Sequence, residues 1–238
     1  TISSIENNGI NDGPITLKVG DKEISTKKLV WTGNLNDLNK LIINADSKIA
    51  SAPKMNYLNT RFVNLTIKEK SVATNKAQWI YISDGSLLTS RITCMKEFNP
   101  NTCNYGYYNI ICEVTESQSQ TSSNEKRLKE KQLGLKVINE LQDIGFLRRK
   151  SSVEDFHVEN IKDTYPIYSR DYKTRFGKSV SNLKKYSKNV HLLGRSGAFW
   201  YNNSDHSIRQ ALDMAEFFLG KLDKELDFRD YFGGNEKH

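Results

Sequence analysis

The sequence is poor in the residues that build special frameworks. It has only 4 Pro, 14 Gly, 4 His and 3 Cys in 238 residues. That excludes collagen and Pro/Gly-rich low complexity. The cysteines, Cys94, Cys103 and Cys112, form no CxxC and have no histidine pair near them. An odd, evenly spread set of this kind is neither a disulfide framework nor a zinc site, so free and mostly buried thiols are expected. No apolar run approaches the roughly 20 residues a membrane helix needs, and no basic segment with an apolar follower opens the chain. A soluble, cytoplasmic protein is the expectation. There is also no GxGxxG or GxxxxGK[ST] phosphate loop, no internal repeat, and no carboxylate pair or Ser/His/Asp set of hydrolytic type.

What is present is a basic, aromatic-rich chain with net charge +7. The basic stretches, Lys126–Lys131, Leu147–Lys150 and Lys173–Lys188, begin, follow or line predicted helices. They read as solvated faces, with attraction of an anionic small molecule ahead of nucleic acid. Ile15–Val19, a Gly20-Asp21-Lys22 turn and Leu29-Val30-Trp31 predict a short strand pair, followed by a helix over 36–43 capped by Asn34 or Asn36. From Arg61 the period changes to two: Val63, Leu65 and Ile67 share a face, and strands follow at 78–82, 90–95 and 107–114. The aromatic residues there, Trp79, Tyr81, Tyr105, Tyr107 and Tyr108, are expected in the core, with a wall for a sugar or planar substrate as the alternative.

A polar loop at 115–123 leads to a helix marked by Val137, Ile138, Leu141 and Ile144 and stopped by Gly145. Two extended segments, 155–161 and 164–168, precede a helix near 171–186 and a brief strand at 190–193. The last helix shows Ile208, Ala211, Leu212, Ala215, Leu219 and Leu222 at helical spacing, with Ser204 or Asp205 as its N-cap. The fold class is α/β in the mixed α+β sense, combining an antiparallel sheet with short parallel elements.

The most informative segment is Gly194-Arg195-Ser196-Gly197-Ala198-Phe199-Trp200-Tyr201-Asn202-Asn203-Ser204-Asp205-His206-Ser207. A glycine at a strand end lets backbone N–H groups approach a ligand, and an arginine fork suits phosphate or carboxylate. Asn202, Asn203, Asp205, His206 and Ser207 crowd a helix start that needs one cap. The residues predict a ligand site, against an over-capped helix start beside a surface loop.

This pattern resembles the C-terminal FAD-binding signature of flavoproteins related to UDP-galactopyranose mutase and to amine oxidase or protoporphyrinogen oxidase-like proteins of bacterial polysaccharide metabolism. Three weaker segments agree in order. Leu29-Val30-Trp31-Thr32-Gly33 is similar to a strand end and turn near the flavin, Ser90-Arg91-Ile92 to a strand whose arginine lies beside flavin and substrate, and Tyr165-Pro166-Ile167 to a segment whose tyrosine lines the substrate pocket. The resemblance implies FAD as cofactor, held through Thr32, Gly33, Gly194, Arg195, Tyr201, Asn202, Asn203, Asp205, His206 and Ser207. It implies Arg91, Tyr165 and Phe199 at the substrate, with no catalytic residue singled out and no metal. A tyrosine of the mutases falls at Phe199, which cannot donate a hydrogen bond and so favours the oxidoreductase-like branch.

The glycine-rich βαβ unit of such proteins has no counterpart here, and the opening segment reads as the middle of a fold. The chain is therefore expected to be the C-terminal half of a longer flavoprotein, partnered by an N-terminal Rossmann half. Residues 1–45 and 166–238 would belong to the FAD-binding domain and 46–165 to the substrate domain. Its small-molecule substrate would be a nucleotide sugar or an oxidisable molecule. The alternative is a non-catalytic module that binds a nucleotide sugar or anionic glycan through Arg91, Arg195 and the aromatic strands.

Overall fold

The computed structural model describes residues 1–7, 13–43, 52–73, 76–117, 128–223 and 225. In chain order the elements are β1 (Ile2–Asn7), β2 (Ile15–Val19), β3 (Lys22–Thr26), β4 (Leu29–Trp31), α1 (Leu35–Leu41), β5 (Tyr57–Lys68), β6 (Trp79–Tyr81), β7 (Thr89–Cys94) and α2 (Met95–Phe98). They continue with β8 (Tyr107–Ser117), α3 (Glu130–Asp143), β9 (Val153–Pro166), α4 (Tyr172–Tyr186), β10 (Val190–Leu192), α5 (Gly194–Gly197) and α6 (Ser204–Phe218). The chain divides into two compact units, residues 1–56 with 165–238, and residues 57–164.

The 57–164 unit is a five-stranded sheet in the order β6-β7-β8-β5-β9, with α3 on one face. The period-two pattern decides that face. Val63, Leu65 and Ile67 of β5, Ile92 and Cys94 of β7, and Ile110 and Cys112 of β8 are buried with Leu133, Val137, Ile138 and Leu141 of α3. Glu140, on the same helix, anchors the approach to β7, accepting the N–H groups of Leu88 (2.8 Å) and Thr89 (3.2 Å). Gly145, at φ +77°, ends α3 as anticipated. All three cysteines are free, Cys94 and Cys112 buried and Cys103 partly exposed.

In the other unit β1, β2 and β3 form an antiparallel sheet, and β4 pairs in parallel with β10, Leu192 opposite Trp31. Asn34 caps α1, accepting the Asn36 N–H at 2.7 Å. The buried Asn36 amide clamps the chain at Met55, donating to its carbonyl and accepting its N–H, both at 2.8 Å. Ile5, Leu35, Leu38, Phe176, Leu183, Val190 and Phe199 fill this unit's core.

Several sequence expectations need correction. The Gly20 turn joins β2 to β3, which alternation in a wholly exposed or half-exposed segment did not announce, and Leu29–Trp31 pairs with the distant β10. The two segments at 155–161 and 164–168 are mostly one strand, β9, because Asp163 adopts φ +56° within it and the strand continues. Asn203, and neither Ser204 nor Asp205, caps α6. That helix stops at Phe218 because Gly220 takes φ +71°, with Lys221 N–H returning to Glu216 O (2.9 Å) and Gly220 N–H to Phe217 O (3.1 Å). Leu222 lies beyond it. Trp79, Tyr81 and Tyr105 are exposed, whereas Tyr108 is buried. The expected polar loop is strand to Ser117, and its residues 118–123 lie outside the described residues, as do residues 126 and 127.

Candidate functional site

The register of the short parallel sheet brings two segments together. Because Leu192 lies opposite Trp31, Thr32-Gly33 and Leu193-Gly194 leave the sheet at the same carboxyl end, and Leu193 N–H bonds to Trp31 O at 2.9 Å. The crevice beyond the carboxyl ends of parallel strands is where open α/β sheets bind ligands. Gly194 turns there at φ +75°, a left-handed conformation that a side chain would strain, and a β-carbon on it would meet nothing within 4 Å. The turn is locked from behind: Gln210, buried in the middle of α6, accepts the Gly194 N–H at 2.8 Å.

The first turn of α6 is thereby delivered to the same end of the sheet. Asn203 and His206 form a capping box, in which His206 Nδ1 accepts the Asn203 N–H at 3.3 Å and the proton of the neutral ring sits on Nε2. Ser207 N–H already bonds to Asn203 O at 3.1 Å, the first bond of the helix ladder. The backbone donors left pointing out of the helix are those of Ser204 and Asp205. Asn202 is buried and donates its side-chain amide to Ser207 Oγ at 2.9 Å, so both brace the helix start.

Arg195 does not extend as a free fork. Its Nε and Nη2 both donate to Asn202 O, the former at 3.1 Å, and its guanidinium lies 4.9 Å from the Tyr165 ring centre and 5.3 Å from that of Tyr201. Tyr201 is exposed and ties its N–H to Tyr168 Oη at 2.7 Å. Phe199 sits at φ +48°, uncommon for a bulky residue, with its ring buried among Tyr168, Tyr172 and Phe176. Thr32, Gly33, Gly194, Arg195, Tyr201, Asn202, Asn203, Asp205, His206, Ser207 and Tyr165 thus belong to one unit and surround one turn. Arg91 belongs to the other unit. There it donates to the Glu113 carboxylate through Nε (3.0 Å) and Nη2, and to Tyr81 Oη through Nη1 (3.3 Å).

Sequence reasoning missed Glu113 and Gln210. A carboxylate opposite an arginine on the neighbouring strand, and a glutamine in the middle of an amphipathic helix, carry no local signal. It also missed a half-buried polar cluster in which Glu225 accepts from Lys184 Nζ at 2.8 Å and lies 3.1 Å from Nδ1 of the buried His191. Burial would push the Glu225 carboxyl up, but the hydrogen bonds from His191 and Lys184 outweigh it and hold it below its usual value. Among the described residues no cluster of His, Cys, Asp and Glu could hold a metal ion, and no helix is long and apolar enough to cross a membrane.

The fold that carries this turn is one shared with flavoprotein-class enzymes. The structure of reduced UDP-galactopyranose mutase aligns with a TM-score of 0.78 at 18% identity, over 96% of this chain and 47% of that one. A protein from Exiguobacterium sp. 255-15 assigned as a protoporphyrinogen oxidase aligns at 0.57 and 13%, over 82% and 41%. Cyclohexylamine oxidase from Brevibacterium oxydans IH-35A aligns at 0.52 and 11%, over 84% and 43%. The chain therefore spans about half the length of each. No family model and no curated protein matches the sequence.

Proposed function

We propose that residues 1–238 form the cofactor-clasping and substrate-facing half of an FAD-dependent enzyme, an amine oxidase-like oxidoreductase or a sugar-nucleotide mutase of bacterial polysaccharide metabolism. The observation that carries the reading is the meeting of Thr32-Gly33, Gly194 and the first turn of α6 at one end of the β4–β10 pair. The residues fit a flavin. Gly194 leaves a surface without side chain, and the Ser204 and Asp205 N–H groups lie at the positive end of a 15-residue helix, suited to the electron-rich edge of the ring. When bound, the flavin supplies an electron-accepting and electron-donating ring. The chain's own part is to hold and orient it. Arg195 stiffens the loop through Asn202 O, and the Asn203–His206 box fixes the helix start.

A second layer of protein over this unit is part of the proposal. The outer stripe of α6 is apolar and exposed, with Ile208 62% and Leu212 55% exposed and Leu219, just past its end, 71%, while Gln210, Asp213 and Met214 face inward. Parallel pairs as short as three residues ordinarily sit inside larger sheets covered on both faces. A Rossmann half supplying strands beside β4 or β10 and cover for that stripe meets both needs. The test is the visible spectrum of the protein purified from its whole gene. Flavin absorbance that survives gel filtration supports the reading, and a folded, colourless protein that takes up no added FAD contradicts it.

A further inference from the structure

We propose that one end of the 57–164 unit is a docking surface for an anionic lipid bilayer, where an apolar groove receives an acyl chain and Arg148 meets the lipid phosphate. The backbone builds the place. Beyond β5 the chain runs antiparallel to the segment that follows α3, with Ala73 N–H bonded to Phe146 O at 2.9 Å and Arg148 N–H to Ser71 O at 2.8 Å. Glu69 N–H bonds to Gly106 O at 3.0 Å, which brings the turn carrying the fully exposed Tyr105 to the same crossing.

The groove is the first ground. It encloses about 550 Å³ on the side of the sheet where Ile80 and Ile92 turn toward α3, opposite to the face that carries Arg91. Val72, Ile80, Ile92 and Phe146 line it, Ile144 stands 44% exposed beside them, and among the described lining residues Arg148 is the charged one. An apolar hollow with a single charge placed on it suits a ligand with an apolar body and one anionic group.

Charge is the second ground. Lys70, Arg148, Arg149 and Lys150 are exposed, and among the described residues none of them pairs with a carboxylate. Two neighbouring carboxylates are already answered, Glu69 by Lys96 and Glu154 by Lys68 at 3.6 Å, and Asp143 at the end of α3 is set against the four cations. Basic side chains so grouped are drawn to an anionic membrane surface within a Debye length. Groove and charge together select the occupant. A soluble phosphate or a nucleic-acid backbone would engage the cations and leave the groove unused, and a neutral apolar ligand would do the reverse. An anionic lipid uses both, and a tyrosine at the border suits the headgroup layer.

The inference goes beyond the proposed function and requires no flavin. Co-sedimentation of the whole gene product with vesicles tests it, comparing phosphatidylcholine alone with equal parts phosphatidylcholine and phosphatidylglycerol. Binding to the anionic vesicles only is expected, weakened by added salt. Lys70→Glu and Arg148→Glu, which each exchange an attractive charge for a repulsive one, should weaken it about tenfold or more. Ile144→Asn should weaken it without any change of charge on the cations. Lys173→Glu, the same charge change on the exposed side of α4, should leave it unaltered, and unchanged circular dichroism verifies that the variants fold. Absence of vesicle binding, equal binding to both vesicle types, or equal loss in Lys173→Glu overturns the proposal. So does full binding by Ile144→Asn, which would leave the groove without a role, or binding of a single-stranded oligonucleotide that depends on Lys70 and Arg148 and displaces the vesicles. Each of these outcomes leaves the flavin measurement untouched.

Discussion

Gly197 lies against the main chain at Trp31, so close that a β-carbon on residue 197 would fall 2.3 Å from the Trp31 carbonyl oxygen and 3.1 Å from Thr32 Cα. This contact sets the distance between α5 and the end of β4. Backbone cannot rotate away as a side-chain tip can, so Gly197→Ala must push the two segments apart. The expected cost is about 2 to 3 kcal/mol, the upper part of the range for overpacking a filled site. Denaturant unfolding of the variant checks it, and a loss below 0.5 kcal/mol (about the spread of ordinary surface substitutions) would mean the segments are loosely held.

The start of α6 predicts opposite outcomes for two prolines three residues apart. Ser204 is the first helical residue, and Asn203 before it is extended at φ −96° and ψ 174°, a conformation compatible with a following proline. Ser204→Pro should change stability by no more than about 0.5 kcal/mol. Ser207 N–H bonds to Asn203 O, so Ser207→Pro should cost about 3 kcal/mol. Thermal melts of the pair decide the point, and similar melting temperatures would place the helix start elsewhere.

Thiol chemistry should separate the three cysteines. Burial pushes the Cys112 and Cys94 thiols up, so neither forms a thiolate readily in the folded state. Cys103 is partly exposed. A thiol-reactive dye added to native protein should modify Cys103 alone, and denatured protein should react at all three. Peptide mapping that finds Cys112 labelled as fast as Cys103 would contradict this packing.

The Glu225 cluster predicts a pH dependence with a definite sign. A carboxyl held below its unfolded value stabilises the fold above that value and loses the contribution as pH falls through its folded value. Removing the charge with Glu225→Gln should therefore lower the melting temperature at neutral pH. The two melting curves should converge in acid, below the ordinary carboxylate range. A difference that stays constant with pH would mean the charge of Glu225 is not what His191 and Lys184 engage.

Much of this was legible in the sequence where one residue type answers one local need. Period two placed Val63, Leu65 and Ile67 on the core face, and Gly145 and Asn34 ended and began their helices as expected. The Gly194–Ser207 segment stood out because its polar residues exceed what one cap requires, and the structure uses two of them, Asn202 and Ser207, as a brace.

The failures have a common cause. The apolar stripe of α6 was legible, but periodicity does not say which face meets the rest of the chain. Here the inward face carries Gln210 and Asp213 beside Met214, with Gln210 bonded to Gly194 N–H. The aromatic residues of β6 were expected inside because strands favour them there, yet an edge strand with one solvated face displays them. Pairing of β4 with β10 across most of the sequence left no local trace at all.

The central claim is that a flavin lies at the turn where Thr32-Gly33, Gly194 and α6 meet. Photolabelling of the whole gene product with a flavin analogue carrying an azide on its ring tests this most directly, with the modified peptides identified by mass spectrometry. The account predicts adducts within residues 32–33 and 194–207, suppressed by excess FAD. Flavin-dependent adducts found only outside those segments would contradict it.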